Sequence, residues 1–313
     1  MLLLVKTLPL LYVSHTATQV QEQVYHSQNF KPNKKKVLKP PYLCYALIIF
    51  YSLYILLPLY IILITSLKTY GDASSSVFLW WPVSGFSFTA YTDIIWPEMA
   101  TILNGLWNTI IYYVPRTLIA VFVSTMAAYG FAKVEWRGKD AIFGFLMLTM
   151  MIPGTITMSA SRMYMAILGW ESTANPIIIP GLFGGIGTVF FLRQYVMGIP
   201  DDLIGAAKID GMNEASIFLT LIVPLTMPAI TTQAVLGFIG SYNSYLDVLI
   251  YLGNYPEKYT IQLVLKQASG FYSSYKNVTM AYCVVGMFPL IILYLVLQDY
   301  ILKGISMSSG LKG

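Results

Sequence analysis

Ile199-Pro-Asp-Asp-Leu-Ile-Gly205-Ala-Ala-Lys-Ile-Asp210-Gly-Met-Asn-Glu-Ala-Ser-Ile-Phe218, continuing as Leu-Thr-Leu-Ile-Val-Pro224-Leu-Thr-Met-Pro228, is a short polar island in a strongly apolar chain. Pro200 with Asp201 and Asp202 supplies a helix start, because proline is pre-set for the first turn and carboxylates favour its positive end. Leu203, Ile204, Ala206, Ala207 and Ile209 give the next two turns a small, apolar surface. Gly211 after Asp210 is a C-terminal cap, since glycine takes the left-handed conformation without a Cβ penalty. Asn213 is placed to cap a second helix that runs through Glu214 into an apolar stretch. A short rigid helix with small residues exposed suits insertion into a cleft of another protein. The plainer reading is a helical connector.

The rest of the chain tells what that island interrupts. Of 313 residues, 57% are hydrophobic and 11% charged, with a mean hydropathy of +0.65. A soluble domain carries about 25% charged residues, so a soluble enzyme, a disordered chain and a nucleic-acid binder are excluded together. Runs long enough to cross a bilayer lie at roughly Leu43–Leu67, Gly105–Phe131, Ala141–Ala160, Pro176–Leu192, Ile222–Tyr245 and Thr279–Leu302. The fourth is the shortest and holds Gly181, Gly184, Gly185 and Gly187, small residues that let helices approach closely. Prolines inside or beside these runs, such as Pro115, Pro153 and Pro224, are tolerated where neighbours re-satisfy the freed backbone groups. The expected fold class is an all-α membrane protein of six transmembrane helices, with the Pro200–Gly211 helix between the fourth and fifth.

Basic residues set the orientation. With the N-terminus inside, thirteen of the 19 Lys and Arg fall on the inner side, with the largest group at Lys31–Lys39. Five fall outside (Lys68, Arg162, Lys258, Lys266 and Lys276), and Arg116 lies within a run. Both termini are therefore expected in the cytoplasm. Residues 1–40 form an N-terminal tail and 41–313 the membrane domain. Two outer segments are aromatic: 68–104 with Trp80, Trp81 and Trp96, and 246–278 with Tyr251, Tyr255, Tyr259, Phe271, Tyr272 and Tyr275. Such rings either anchor at the lipid interface or contact a sugar or a partner protein.

The chain carries little reactive chemistry. Cys44 and Cys283 lie in apolar runs, and His15 and His26 lie in the polar N-terminal stretch, so no zinc or disulfide framework is expected. No acidic pair has catalytic spacing, and no GxxxxGK[ST] loop is present to cradle phosphates. Catalytic residues and metal ligands are expected to be absent.

The island itself resembles the cytoplasmic loop of binding-protein-dependent ABC importer permeases, whose pattern is Glu-Ala-Ala, three residues, Gly, and later a proline. Ile199-Pro200, Gly205-Ala206-Ala207, Asp210-Gly211 and Pro224-Leu225 fall on it. Phe131-Ala132-Lys133 ahead of Glu135–Asp140, Tyr242-Asn243, Gln298–Lys303-Gly304 and Gly310–Gly313 extend the likeness over roughly residues 40–313. The six-run layout is similar to the carbohydrate-uptake subfamily, and in particular to the shorter permease of the maltose-type pair. Two positions depart from the pattern. Gly205 stands where the family has a glutamate, at a cost of about 1 kcal/mol relative to alanine within a helix, and Tyr242 replaces a tryptophan.

The resemblance implies a permease subunit of an ATP-driven oligosaccharide importer in a bacterial cytoplasmic membrane, forming half of the pore. It implies a second, different permease, two ATP-binding subunits that carry the ATP and magnesium, and an extracytoplasmic solute-binding protein as partners. Coupling to the ATPase would fall to Pro200, Asp201, Gly205, Ala206, Ala207, Asp210, Gly211 and Glu214. Arg116 and Asp247 are candidates for a translocation path because a charge at membrane depth costs about 2.5–3.5 kcal/mol unless paired or hydrated, and Tyr242, Asn243 and Tyr245 because rings can stack on sugar faces and the amide can bond hydroxyls. Arg116 reads equally as a contact to the second permease, and Asp247 as an outer-interface residue. A stand-alone secondary transporter or channel is the alternative. Six runs without an internal repeat or a chain of buried acids fit it poorly.

Overall fold

Helices follow from the apolar runs because a chain in lipid must satisfy every backbone polar group within itself. The computed structural model describes residues 42–310, with side chains described through 299. The 1–40 tail with His15, His26 and the Lys31–Lys39 cluster, and the closing 311–313, lie outside the described residues. Among the described residues every regular element is helical. The chain divides into two compact units, one ending at Leu56 and one running from Leu57 onward.

Among the described residues, five helical stretches are long and apolar enough to cross a membrane: α1 (Tyr42–Ser66), α2 (Met99–Ala132), the pair α3 (Asn175–Leu182) and α4 (Ile186–Met197) taken as Asn175–Met197, then Glu214–Asn243 and Lys276–Asp299. The third expected run does not form one straight span. It is broken into Lys139–Thr149 and Gly154–Ile167, which meet at 92°. Pro153 is the reason: it lacks an N–H and biases Ile152 away from the helical region, so the first helix ends at Thr149 and the second begins at Gly154. Counted as one crossing, this pair brings the number to six.

After α4 come the short α5 (Asp201–Ile209), the crossing α6 (Glu214–Asn243, with one wide turn over Phe218–Ile222), the short α7 (Leu246–Leu252) and α8 (Ile261–Phe271), and the crossing α9 (Lys276–Gly310). Long α2 is the ruler of the molecule. At 34 residues and about 1.5 Å per residue it spans about 51 Å, more than a hydrocarbon core of about 30 Å. Near its start, Asn104 and Asn108 donate to the Glu257 carbonyl at 2.9 Å, and Asn108 also to Tyr259. Near its end, Tyr129 and Lys133 hold α5 and the start of α6. The aromatic 246–278 segment and the Pro200–Gly211 segment thus sit at opposite ends of one helix.

Close approaches explain Gly181 and Gly184 of the fourth run, whereas a Cβ on Gly185 would meet nothing within 4 Å. A Cβ on Gly184 would lie 2.2 Å from Ser124 Oγ and 3.0 Å from the Ala120 carbonyl, and its φ is +79°. One turn earlier, a Cβ on Gly181 would lie 1.8 Å from Arg116 Nε. Small residues there let α3 and α4 lie directly on α2. Three buried threonines of the bundle are satisfied by the backbone: Thr125 and Thr226 donate to the carbonyls four residues back, at 2.7 and 2.6 Å. Thr109 does the same to Gly105 and in addition accepts the free Ile261 N–H at the start of α8, at 3.0 Å.

Candidate functional site

The 199–218 island folds into a capped helix with two attachments. Pro200 is extended (ψ 135°) and Asp201 opens α5. At the other end Gly211 takes φ +81°. Its N–H donates to the Lys208 carbonyl at 3.1 Å, and the Met212 N–H reaches back to Ala207 at 3.0 Å. This double bond pattern is the glycine stop that satisfies the last free carbonyls of a helix. Asn213 Oδ1 then accepts from the Ser216 N–H at 2.8 Å and starts the next helix.

Both ends of α5 are tied to charged side chains of neighbouring elements. Lys133 Nζ donates to the Ile199 carbonyl and to Asp201 Oδ1, each at 2.6 Å. That hydrogen bond and charge hold the Asp201 carboxyl below the usual carboxylate range. Lys208, in the last turn, pairs with Glu214 Oε1 at 2.7 Å, while Tyr129 donates to Glu214 Oε2 at 2.5 Å. Ile204 and Ala207 face inward with Ile199, Ile217 and Phe218. The opposite face presents Leu203, Ala206 and Ile209, the last 89% exposed, beside Asp210. Gly205 borders a cleft of about 460 Å3 between α5 and the end of α2, and a Cβ there would meet nothing within 4 Å. The arrangement is a small apolar ridge on a rigid helix, able to transmit a push to α2 and α6 together.

The other candidates divide. Tyr242 is 2% exposed and donates to the Gly286 carbonyl at 2.9 Å, which commits its hydroxyl within this chain. Asn243, exposed at the end of α6, donates to the Ile239 carbonyl at 3.0 Å, and its Oδ1 accepts from Gln262 at 3.5 Å. Tyr245 lies in the break before α7 with Lys266 5.8 Å from its ring centre, and Asp247 accepts from the Ser244 hydroxyl at 3.1 Å. Arg116 lies against Gly181 and 5.7 Å from the ring centre of Tyr113. Arg116 and Asp247 make no ion pair with each other. Tyr113 itself is fully buried, and its hydroxyl has no partner.

Three residues that organise these sites carry no pattern in the sequence. Tyr113, Tyr129 and Lys133 sit in or just after a long apolar run, and each acquires its role from a partner 60 or more positions away or from burial. Lys133 was legible only as part of Phe131-Ala132-Lys133.

Comparison with known proteins accounts for this architecture. The family model described as binding-protein-dependent transport system inner membrane component matches residues 120–307, from within α2 to the last helix. The chain belongs to that family. Among its relatives, the melibiose/raffinose/stachyose import permease protein MelC of Bacillus subtilis is 30% identical over 262 residues, covering 82% of this chain and 91% of MelC. The arabinooligosaccharides transport system permease protein AraQ of Halalkalibacterium halodurans is 30% identical over 210 residues, 67% of this chain and 73% of AraQ. A chain in the crystal structure of a bacterial ABC transporter that imports the acidic polysaccharide alginate superposes with a TM-score of 0.67 at 25% identity, covering 82% of this chain and 95% of that one. The protein is therefore a multi-pass permease subunit of an ABC importer, a transport component and not an enzyme. Such a permease works with a binding protein, an ATPase and a partner permease.

Proposed function

We propose that this permease forms one half of the pore of an oligosaccharide or glycoside importer, paired with a second, different permease and two ATP-binding subunits. ATP and magnesium would bind on those subunits, and an extracytoplasmic solute-binding protein would deliver the sugar. In this reading the bent pair counts as one crossing, which gives six spans with both termini in the cytoplasm. Residues 1–40 form the cytoplasmic tail and 41–313 the membrane domain.

The observation that carries the reading is the construction of α5. Pro200 and Asp201 start it, Gly211 stops it, and Lys133 and Glu214 tie its ends to α2 and α6. Ala206, Ile209 and Asp210 face outward, free to enter a groove of the ATPase, while Ala207 faces the bundle. Gly205 leaves room where a longer side chain would stand. ATP-driven closure of the ATPases would displace α5 and rock the two helices it holds. The sugar would pass near Asn243, Tyr245 and Asp247, with Tyr242 supporting them from behind and Arg116 beside Tyr113 deeper in the bundle. That import permeases such as MelC and AraQ are relatives supports a sugar as the cargo.

The test places a cysteine at Ile209 in the assembled importer and cross-links it to the ATPase. A cross-link whose yield changes with ATP is expected, along with transport that depends on ATP and the binding protein. ATP-independent uptake by this chain alone would overturn the reading in favour of a self-sufficient carrier.

A further inference from the structure

Lys68, two residues beyond the end of α1, is 1% exposed. A lysine is almost never this buried without partners, and here its ammonium finds them in the segment that follows it. Its Nζ donates to the Leu79 carbonyl and lies 4.3 Å from the centre of the Phe78 ring. Its own carbonyl accepts from Asn277 at 3.3 Å. The only other charge between it and Asp93 is Asp72, whose carboxylate is taken by the Ser84 N–H at 2.9 Å and the Ser84 hydroxyl at 2.8 Å. Both charges are thus engaged within the stretch, Lys68 buried and Asp72 partly exposed.

What faces outward is apolar and aromatic. Val77, Trp80, Trp81, Val83, Phe86 and Phe88 are all exposed. Phe78 with Trp80 and Trp81 with Phe86 form two edge-to-face pairs at 5.2 Å, so the rings are held as a ledge. Besides Lys68, two bonds fix its depth: Tyr60 of α1 donates to the Trp80 carbonyl at 2.5 Å, and the Ser87 N–H donates to the Leu67 carbonyl at 2.8 Å. Tyr60 lies six residues before the helix end, about 9 Å along the axis. The ledge therefore runs beside the last turns of a crossing helix, next to the exposed Leu57, Leu59 and Leu63.

We propose that residues 75–88 are an interfacial anchor that lies in the lipid–water boundary at the end of the molecule opposite α5, with Lys68 as the residue that positions it. Tryptophan and its neighbours concentrate at that boundary because the rings are apolar with a polar edge. A docking face for a soluble partner carries charge to steer association, and residues 75–88 themselves contain no charged residue. The ledge is also continuous with a membrane-crossing surface.

The test uses the full chain with its native partners in lipid nanodiscs. Cys44→Ser and Cys283→Ser leave a single nitroxide on Val83→Cys, and its depth is read from collision with oxygen against a water-soluble nickel chelate. A depth of about 5–10 Å below the phosphates is expected, with a label on Asn254→Cys reading as aqueous. Free collision with nickel at Val83 would overturn the anchor. Protection from both reagents would overturn it too, because a protein would then cover the ledge. In Lys68→Met the label should move outward into water. An unchanged depth would remove Lys68 from its role, and if that variant does not assemble, Trp80→Ser with Trp81→Ser must produce the same outward shift or the anchor fails.

Discussion

The Tyr129 hydroxyl donates to the Glu214 carboxylate at 2.5 Å, joining the end of α2 to the start of α6 across 85 residues of sequence. The second carboxylate oxygen holds Lys208, so one acid links three elements. A hydrogen bond to a charged acceptor contributes about 1.5–3 kcal/mol, whereas the half-exposed Lys208 pair contributes about 1 kcal/mol or less. Tyr129→Phe keeps the ring against Phe218 at 5.8 Å and removes only the bond. It should cost about 1–2 kcal/mol of stability and lower the sugar moved per ATP hydrolysed. Thermal unfolding and the transport-to-ATPase ratio check it; an unchanged ratio would mean that motion does not pass through this contact.

Gly211 is constrained by backbone conformation alone. Its φ is +81° and a Cβ would meet nothing within 4 Å. A side chain there costs about 1–2 kcal/mol through the left-handed conformation, least for asparagine. Gly211→Val should leave membrane insertion intact and uncouple hydrolysis from transport, with Gly211→Asn close to the native protein. Equal transport by all three would sink the claim that the stop of α5 matters.

Gly205 invites the opposite change. With φ ordinary and open space around it, Gly205→Ala should stabilise α5 by about 0.5–1 kcal/mol. Gly205→Glu should also fold, because Lys133 and Lys208 border the same cleft and can meet the new carboxylate. Amide exchange across 201–209 should slow in both variants. Faster exchange would show that the glycine is required.

Gly184 and Gly181 separate a backbone constraint from a movable one. Gly184→Ala must displace the Ala120 carbonyl and Ser124 while holding φ at +79°, so the yield of folded protein should fall sharply. Gly181→Ala meets the end of a long arginine side chain, which can swing aside. Folded yield should survive there, with transport altered instead. Comparable yields of the two variants would contradict the distinction.

Acid should release the N-terminal end of α5. The Asp201 carboxyl lies lower in the folded state than in the unfolded chain because of Lys133. Its contribution is therefore complete above the ordinary carboxylate value of about 3.9 and is lost as pH falls through the folded value. Amide exchange at 199–204, followed from pH 6 down to about 3, should accelerate only below that ordinary value, and Asp201→Asn should be already fast and flat with pH.

Much of this protein was legible in one dimension. Apolar runs fixed the crossings, because twenty residues without a polar partner have few places to go but lipid. Proline, aspartate, glycine and asparagine at 200, 201, 211 and 213 marked the helix ends that form, since caps and stops are made within four residues of chain. The break at Pro153 was also visible as a residue, but not as a 92° bend, because a proline in a crossing can be kinked or broken depending on what packs around it. Tertiary structure alone decided the rest. It set Tyr242 inward against Gly286, kept Arg116 and Asp247 from pairing with each other, and brought Tyr129 to Glu214 and Lys68 to Leu79. Those choices rest on contacts between distant segments, where a hydroxyl or an ammonium is satisfied by whichever carbonyl or carboxylate the packing of whole helices delivers to it.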